Sequence, residues 1–276
     1  MNRNDPAAFY DAYGASEWDR LADGIDGRLE FECTVEELAR TLPRNGRVLD
    51  AGGGAGRYTA WLAERGYDVT LLDVSGGQLG VAREKLAERD LLADVQLLRG
   101  SITDLPLPGD AFDATCCLGG PLSHVLDADD RERAVRELRR VSTPDAPVFA
   151  SVMGLLGALQ LYLVTGHNLA ALPELARHGD YDDALLGAHG YENEFTATHF
   201  FRRDELRALL EDAGIAVDHV IGLEGLASPF HDDALHERLD DSSMAEREAL
   251  VRTVQATNDD PVVADLSIHM LAVGRA

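Results

Sequence analysis

One segment constrains this chain more than any other: Val48-Leu49-Asp50-Ala51-Gly52-Gly53-Gly54-Ala55-Gly56-Arg57-Tyr58. An apolar run enters a glycine-rich turn, and apolar residues at helical spacing follow. This pattern describes a strand that reverses sharply into a helix. Glycines let the backbone turn tightly and approach a ligand closely. The first turn of the helix then presents unpaired N–H groups and a positive dipole end. A strand of this kind has to lie in a sheet covered by helices.

The alternation continues along the chain. Apolar runs at 47–52, 68–73, 95–100, 112–119 and 146–152 read as strands, with helices at 57–66, 76–90 and 129–142 between them. That order implies right-handed βαβ units and a parallel sheet. Strands apolar on both faces place helices on both sides of it. Residues 1–45 read as an N-terminal helical cap, with a helix over 16–42 that ends at Pro43. Beyond residue 152 the alternation stops. Residues 153–200 mix an apolar helical stretch (Leu155, Leu156, Leu159, Leu163) with polar loop and read as an insertion. A helix at 203–215, a strand at 217–225, a helical segment at 232–258 and a closing strand at 265–276 complete a single domain over 1–276.

Composition narrows the function. Hydrophobic residues make up 45% of the chain, enough for a sizeable core. The longest apolar candidate, Val148 to Val164, is broken by Gly154, Gly157 and Gln160 and falls short of a membrane span. The opening MNRNDPAAFYDAYG has no apolar core of a signal peptide, so the expected setting is cytoplasmic and away from membranes. The net charge is −24, and Lys85 is the only lysine among 25 basic residues. The acidic excess is spread along the chain, which reads as halophilic adaptation: at molar salt, screening removes the mutual repulsion of the carboxylates. The same charge argues against nucleic acid as a partner, which calls for clustered Lys and Arg. Cys33, Cys116 and Cys117 have no disulfide or zinc spacing and read as buried residues; no metal site is expected.

The ligand can be read from strand ends. Asp50, at the tip of the first strand, is a poor neighbour for pyrophosphate but suits an ammonium group. With the free N–H groups of the loop it fits a zwitterionic amino-acid tail. Begun at Gly52, the dinucleotide fingerprint G-x-G-x-x-G fails, because its last position is Arg57. Asp73, at the tip of the second strand, is placed to accept from ribose hydroxyls. After the third strand, Ser101-Ile102-Thr103-Asp104 offers Asp104 to an adenine amino group and Ile102 to the ring. The carboxyl ends of parallel strands are where such sheets bind ligands.

Together VLDAGGGAGRY, VTLLDVS, SITDLPLPGDAFD and ELRRVSTPDAPVFASV resemble the successive motifs of class I S-adenosylmethionine-dependent methyltransferases. The resemblance covers about residues 10–152 and, more loosely, 200–276. EWDRL, LEF, GGPLSHV and SIHMLAV are similar to its small-molecule branch. The resemblance implies an α/β, Rossmann-like, doubly wound seven-stranded sheet whose last strand is antiparallel. It implies S-adenosyl-L-methionine as cofactor and S-adenosyl-L-homocysteine as product. By it, Asp50, Gly52, Gly53 and Gly54 hold the methionine part and Asp73 the ribose. Val74 and Gln78 line the adenosine, Ile102 and Asp104 meet the adenine, and Leu118 lies beneath the sulfonium. DVSGGQLGVA departs from the family in carrying glycines where larger residues are usual, and TPDAP lacks the usual Pro-Gly-Gly.

Methyl transfer is a displacement, so the protein must align a nucleophile behind the methyl and, for a phenol or carbon acid, supply a base. His124, in Leu118-Gly119-Gly120-Pro121-Leu122-Ser123-His124, is the candidate base or orienting group, against a plain capping role. His199 is a second histidine placed to approach from the insertion. Tyr10, Tyr13 and Trp18 form an aromatic group that either covers the cofactor or packs in the core. Residues 153–200 are expected to act as a helical lid that roofs, with the helix at 16–42, a mostly apolar pocket floored by Leu118 to His124. The expected acceptor is an uncharged or weakly anionic small molecule. The alternatives are a tRNA or other nucleic-acid methyltransferase, a nicotinamide-dependent oxidoreductase, and a non-catalytic nucleoside-binding relative. The lid could instead form the contact of a homodimer, so a monomer and a homodimer both stand.

Overall fold

A computed structural model describes residues 5–22, 24–228 and 242–276. The first ten positions of the helical segment expected at 232–258, and Asp23 within the one expected at 16–42, lie outside the described residues.

The strands that the pattern predicts form one sheet. They are β1 (Arg47–Ala51), β2 (Asp68–Asp73), β3 (Val95–Arg99), β4 (Ala114–Cys117), β5 (Pro147–Met153), β8 (Ala216–Gly222) and β9 (His269–Arg275). Their order is β3-β2-β1-β4-β5-β9-β8. The pairs β1–β2, β1–β4, β2–β3 and β4–β5 are parallel. β9 runs antiparallel to both β5 and β8, so the last strand is the reversed one, as expected.

Alternate residues of each strand feed opposite layers, as the period of two requires. Val48 and Cys116 face α3 (Gly24–Thr41) and α4 (Arg57–Ala63), where Leu29, Leu38 and Leu62 are fully buried. Leu49 and Cys117 face α6 (Ala128–Val141) and α10 (Arg203–Asp212) through Leu138 and Leu206. The helix α5 (Gly76–Ala87) covers β3 and contributes Leu86 to a cluster with Trp18. All three cysteines are free and buried.

Several boundaries differ from the sequence reading for local reasons. The helix expected over 16–42 is two, α2 (Ser16–Arg20) and α3, joined by a turn at Leu21–Ala22. A further helix, α1 (Pro6–Tyr13), precedes them; Asp5 accepts from the Ala7 N–H at 3.1 Å and proline opens the first turn. The final strand is shorter than 265–276, because α12 (Pro261–Leu266), capped by Asp260, occupies its expected start. Ahead of it, α11 spans Met244–Gln255.

The insertion has its own architecture: α7 (Leu155–Thr165), α8 (Leu172–His178), α9 (Asp183–Ala188) and an antiparallel pair, β6 (Asp180–Tyr181) with β7 (Thr198–His199). Leu172, Leu175, Leu186 and Phe200 give it a hydrophobic cluster separate from the sheet layers. Among the described residues, no helix is long and apolar enough to cross a membrane.

Candidate active site

The carboxyl ends of β1, β2 and β4 open into a cavity of about 250 Å³. The loop after β1 shapes one wall. At Gly52 the backbone has φ +75°, and a Cβ there would stand 2.5 Å from the Pro121 ring. At Gly53 a Cβ would stand 2.6 Å from the Asp50 carboxylate below it. Side chains are therefore excluded from this wall, and the backbone itself faces the cavity. Gly52, Gly53, Gly54, Asp73, Val74, Gln78, Ile102, Leu118 and His124 all line it.

Asp73 is buried at the tip of β2. One of its oxygens accepts from Gly54 N–H and the other from Ser75 N–H, both at 2.8 Å. Burial raises its pKa, against the pull of these backbone donors. A carboxylate offers about four acceptor positions, so each oxygen keeps room for another donor.

Two expected ligand contacts change place. Asp50 is completely buried beneath the loop and is not on the cavity wall. Its Oδ2 accepts from Thr59 Oγ1 at 2.6 Å, and Oδ1 has no partner among the described residues. Burial raises its pKa to about 6, opposed by the Thr59 bond and helped by Asp73. Asp50 therefore shapes and charges the loop from below. Asp104 is an exposed turn residue bridged to Ser101 and also lies off the wall; Ser101 and Ile102 occupy that part of the cavity. The strand-end pattern locates both turns but not which side chain of a turn faces inward.

The sequence reading expected a cap over residues 1–45 with Tyr10 in it, but not the separate helix α1 or the contacts that fasten it. Gln78 Nε2 donates to Tyr10 O at 2.7 Å and Gly14 O at 3.0 Å. Asp11 Oδ1 accepts from Ser75 Oγ at 2.5 Å and Gly77 N–H at 2.8 Å. These contacts fasten α1 to the start of α5, so Gln78 touches the cover as well as the cavity. Gly77, one of the departures from the family pattern, gives Asp11 room: a Cβ there would stand 2.8 Å from its carboxylate.

His124 is held from both sides. Its Nδ1 lies 3.1 Å from Ala197 O, a group that can only accept, so Nδ1 carries the proton. Nε2 therefore accepts from Tyr10 Oη at 2.9 Å. Burial lowers its pKa to about 4 despite the Ala197 carbonyl. His199 lines neither this cavity nor the next: Asp180 and Glu205 clasp it at 2.6 and 2.7 Å. Of the early aromatics, Tyr10 lines the cavity, whereas Trp18 is buried with the Arg57 and Arg89 guanidinium groups over its ring.

A second cavity of about 300 Å³ adjoins the first, sharing Tyr10, Glu17, Arg20 and Gly119 as walls. Phe9 and Tyr13 of α1 and Tyr162, Phe195 and Phe200 of the insertion line it, with Met153 and Ile268. The cap and the insertion meet here, Phe9 against Phe195 at 5.4 Å between ring centroids. Charged groups stand among the apolar ones: Glu17, Asp26, Glu30, Glu224 and His269 also line it. Arg20 donates to Glu30 at 2.5 Å and to Glu17 at 3.2 Å. His269 Nδ1 pairs with Glu224 at 2.7 Å. Burial opposes the His269 charge, but Glu30 and Glu224 outweigh it and raise the pKa to about 9. The cluster Glu30, Glu224 and His269 brings one ligand atom from each within 4.8 Å, a grouping that no spacing in the sequence announces.

Comparison with known proteins agrees with this geometry. The methyltransferase domain family matches residues 48–145. The ubiquinone/menaquinone biosynthesis C-methyltransferase of Pectobacterium carotovorum is 27% identical over 201 residues, 72% of this chain and 75% of the relative. The ubiquinone biosynthesis O-methyltransferase of Pseudomonas paraeruginosa is 30% identical over 178 residues, 64% of this chain and 67% of the relative. A solved S-adenosylmethionine-dependent methyltransferase from Methanosarcina mazei superposes with TM-score 0.60 at 19% identity, covering 87% of this chain and 96% of that one. Fold and site define an enzyme that binds a nucleoside with an amino-acid tail at the carboxyl edge of a parallel sheet. The chain belongs to the class I S-adenosylmethionine-dependent methyltransferases, and S-adenosyl-L-methionine is its cofactor.

The residues fit that group: a wall of bare backbone at Gly52–Gly54, a carboxylate with free acceptor positions at Asp73, and apolar cover from Ile102 and Leu118.

Proposed function

We propose that the chain methylates a small-molecule acceptor held in the second cavity, and that it does so in the cytoplasm. The observation that carries the reading is that the two cavities share Tyr10, Glu17, Arg20 and Gly119 as walls, beside residues of α1 and the insertion. A concave chamber of about 300 Å³ suits a small organic molecule better than a polymer. The relatives named for ubiquinone biosynthesis support an acceptor of that kind. Three free thiols support a reducing compartment.

In this reading, the Gly52–Gly54 backbone and Asp73 hold the cofactor, with Val74, Gln78, Ile102 and Leu118 against its nucleoside end. When bound, the cofactor supplies an electrophilic methyl group. The chain contributes alignment and exclusion of water. Leu118 and Gly119 form the sill between the cavities, and Tyr10 closes it from above. We assign His124 to positioning. Its free lone pair is occupied by the Tyr10 hydroxyl, and a pKa near 4 makes it a weak proton acceptor. Its role is to hold Tyr10, and through it α1, over the sill.

The test is transfer of tritiated methyl from S-adenosylmethionine in a cell extract separated into small molecules, RNA and protein. Label in the small-molecule fraction is expected. Label confined to RNA or protein would defeat the reading.

A further inference from the structure

The second cavity is defined by its walls and by the residues it shares with the cofactor cavity, independently of any charge. What its charges add is the nature of the occupant. Four carboxylates, Glu17, Asp26, Glu30 and Glu224, line it with two cationic side chains, Arg20 and His269. Two of the four have a partner on both oxygens. Glu30 takes both terminal nitrogens of Arg20, and Glu224 accepts from Ser267 Oγ, His269 N–H and His269 Nδ1. Glu17 differs: one oxygen meets Arg20 Nε at 3.2 Å, and the other has no partner among the described residues. Glu17 is also the carboxylate on the wall common to both cavities. The cavity it lines also carries aromatic rings from two elements, Tyr10 and Tyr13 of α1 and Tyr162 and Phe195 of the insertion. Ring faces attract cations, more strongly where water is excluded, and a half-buried carboxylate with an open oxygen does the same.

We infer that the acceptor is an amine carried on a small apolar or aromatic body, with its ammonium group received by Glu17 at the sill between the cavities. This rests on the methyl-transfer reading and replaces the expectation of a neutral or anionic acceptor. The ammonium gives one proton to the Glu17 carboxylate. The freed nitrogen lone pair attacks the methyl carbon, and the electrons of the methyl–sulfur bond stay on sulfur. The methylated ammonium leaves, and the Glu17 proton passes to solvent. One proton is released per methyl transferred.

Three probes of similar shape separate the possibilities: 2-phenylethylamine, 2-phenylethanol and 3-phenylpropionate, each titrated calorimetrically into the full chain loaded with S-adenosylhomocysteine. The amine is expected to bind at least about tenfold more tightly than the other two, as one charge-assisted hydrogen bond allows. It is also expected to accept tritiated methyl from S-adenosylmethionine. Glu17→Gln keeps the shape and should erase the preference while leaving S-adenosylhomocysteine affinity within about threefold of the parent. The inference is overturned if the alcohol or the carboxylate binds as well as the amine, if none of the three binds, or if the preference survives in Glu17→Gln. A roughly tenfold loss of S-adenosylhomocysteine affinity in Glu17→Gln would assign Glu17 to the cofactor and also overturn it. Failure of the parent chain to bind S-adenosylhomocysteine would instead remove the reading on which the inference rests.

Discussion

Asp73→Asn changes one atom and separates two roles of the same side chain. In the folded protein both oxygens already accept a backbone N–H, from Gly54 and Ser75, each at 2.8 Å. Each keeps one further acceptor position, and the assignment to ribose fills these two. Asparagine has a single acceptor oxygen and places an NH₂ where the other stood. One ribose bond is then lost and the other loses its charge. With hydrogen bonds to charged groups at about 1.5–3 kcal/mol each, the expected weakening is about 3 kcal/mol. That corresponds to roughly 150-fold in the dissociation constant of S-adenosylhomocysteine. The same substitution leaves either the Gly54 or the Ser75 N–H facing a donor, so the ligand-free protein should also lose about 1–3 kcal/mol of stability. Isothermal titration gives the first quantity and urea unfolding the second. A variant that loses stability but binds S-adenosylhomocysteine within about threefold of the parent would show that Asp73 only ties the loop to β2, and the ribose assignment would be wrong.

Three further outcomes follow from charge. Burial raises the folded pKa of Asp50 from the ordinary 3.8 to about 6, so its protonated form favours folding below about pH 4 and that contribution is lost as pH rises through 6. Asp50→Asn, compared with the parent by urea unfolding, should therefore gain about 2 kcal/mol at pH 7 and little at pH 4; a gain independent of pH would contradict this. His269 is the same in sign: Glu30 and Glu224 raise its folded pKa from the ordinary 6.5 to about 9. Its ion pair stabilises fully below about pH 6.5, so the deficit of His269→Gln should shrink between pH 6.5 and 9, and a constant deficit would mean that packing alone matters. With a net charge of −24, the melting temperature should climb from low salt to molar KCl as the screening length falls from roughly 30 to 3 Å, and a flat or falling curve would remove the halophilic reading.

The sheet was legible because its signals are local and repeated. Val48 and Leu49, or Cys116 and Cys117, are apolar on both faces only in a strand covered on both sides. The glycine loop was legible because Gly52 and Gly53 have neighbours that exclude any side chain. Beyond the loop, the pattern located turns without the direction of each side chain, so Asp50 and Asp104 were placed in the right turns but not correctly on the wall. A cap and a lid were expected, but the contacts that build the cover and the chamber were not legible, since they join distant segments. Gln78 meets Tyr10, Tyr10 meets His124, and Glu224 meets His269 only after the sheet has brought them together. One sign was available for α1: Asp5-Pro6 is a helix start. Nothing of that kind marks Glu17 or Glu30, two of many acidic residues in a helical, acidic segment.

The most direct test is a crystal structure of the chain with S-adenosylhomocysteine. The account predicts the ligand along Gly52–Gly54, Asp73 and Ile102, its sulfur at the Leu118–Gly119 sill and open only toward the chamber beneath Tyr10 and Phe195. A sulfur exposed to bulk solvent across a wide, flat surface, with residues 153–200 packed away from it, would contradict the account and point to a macromolecular acceptor.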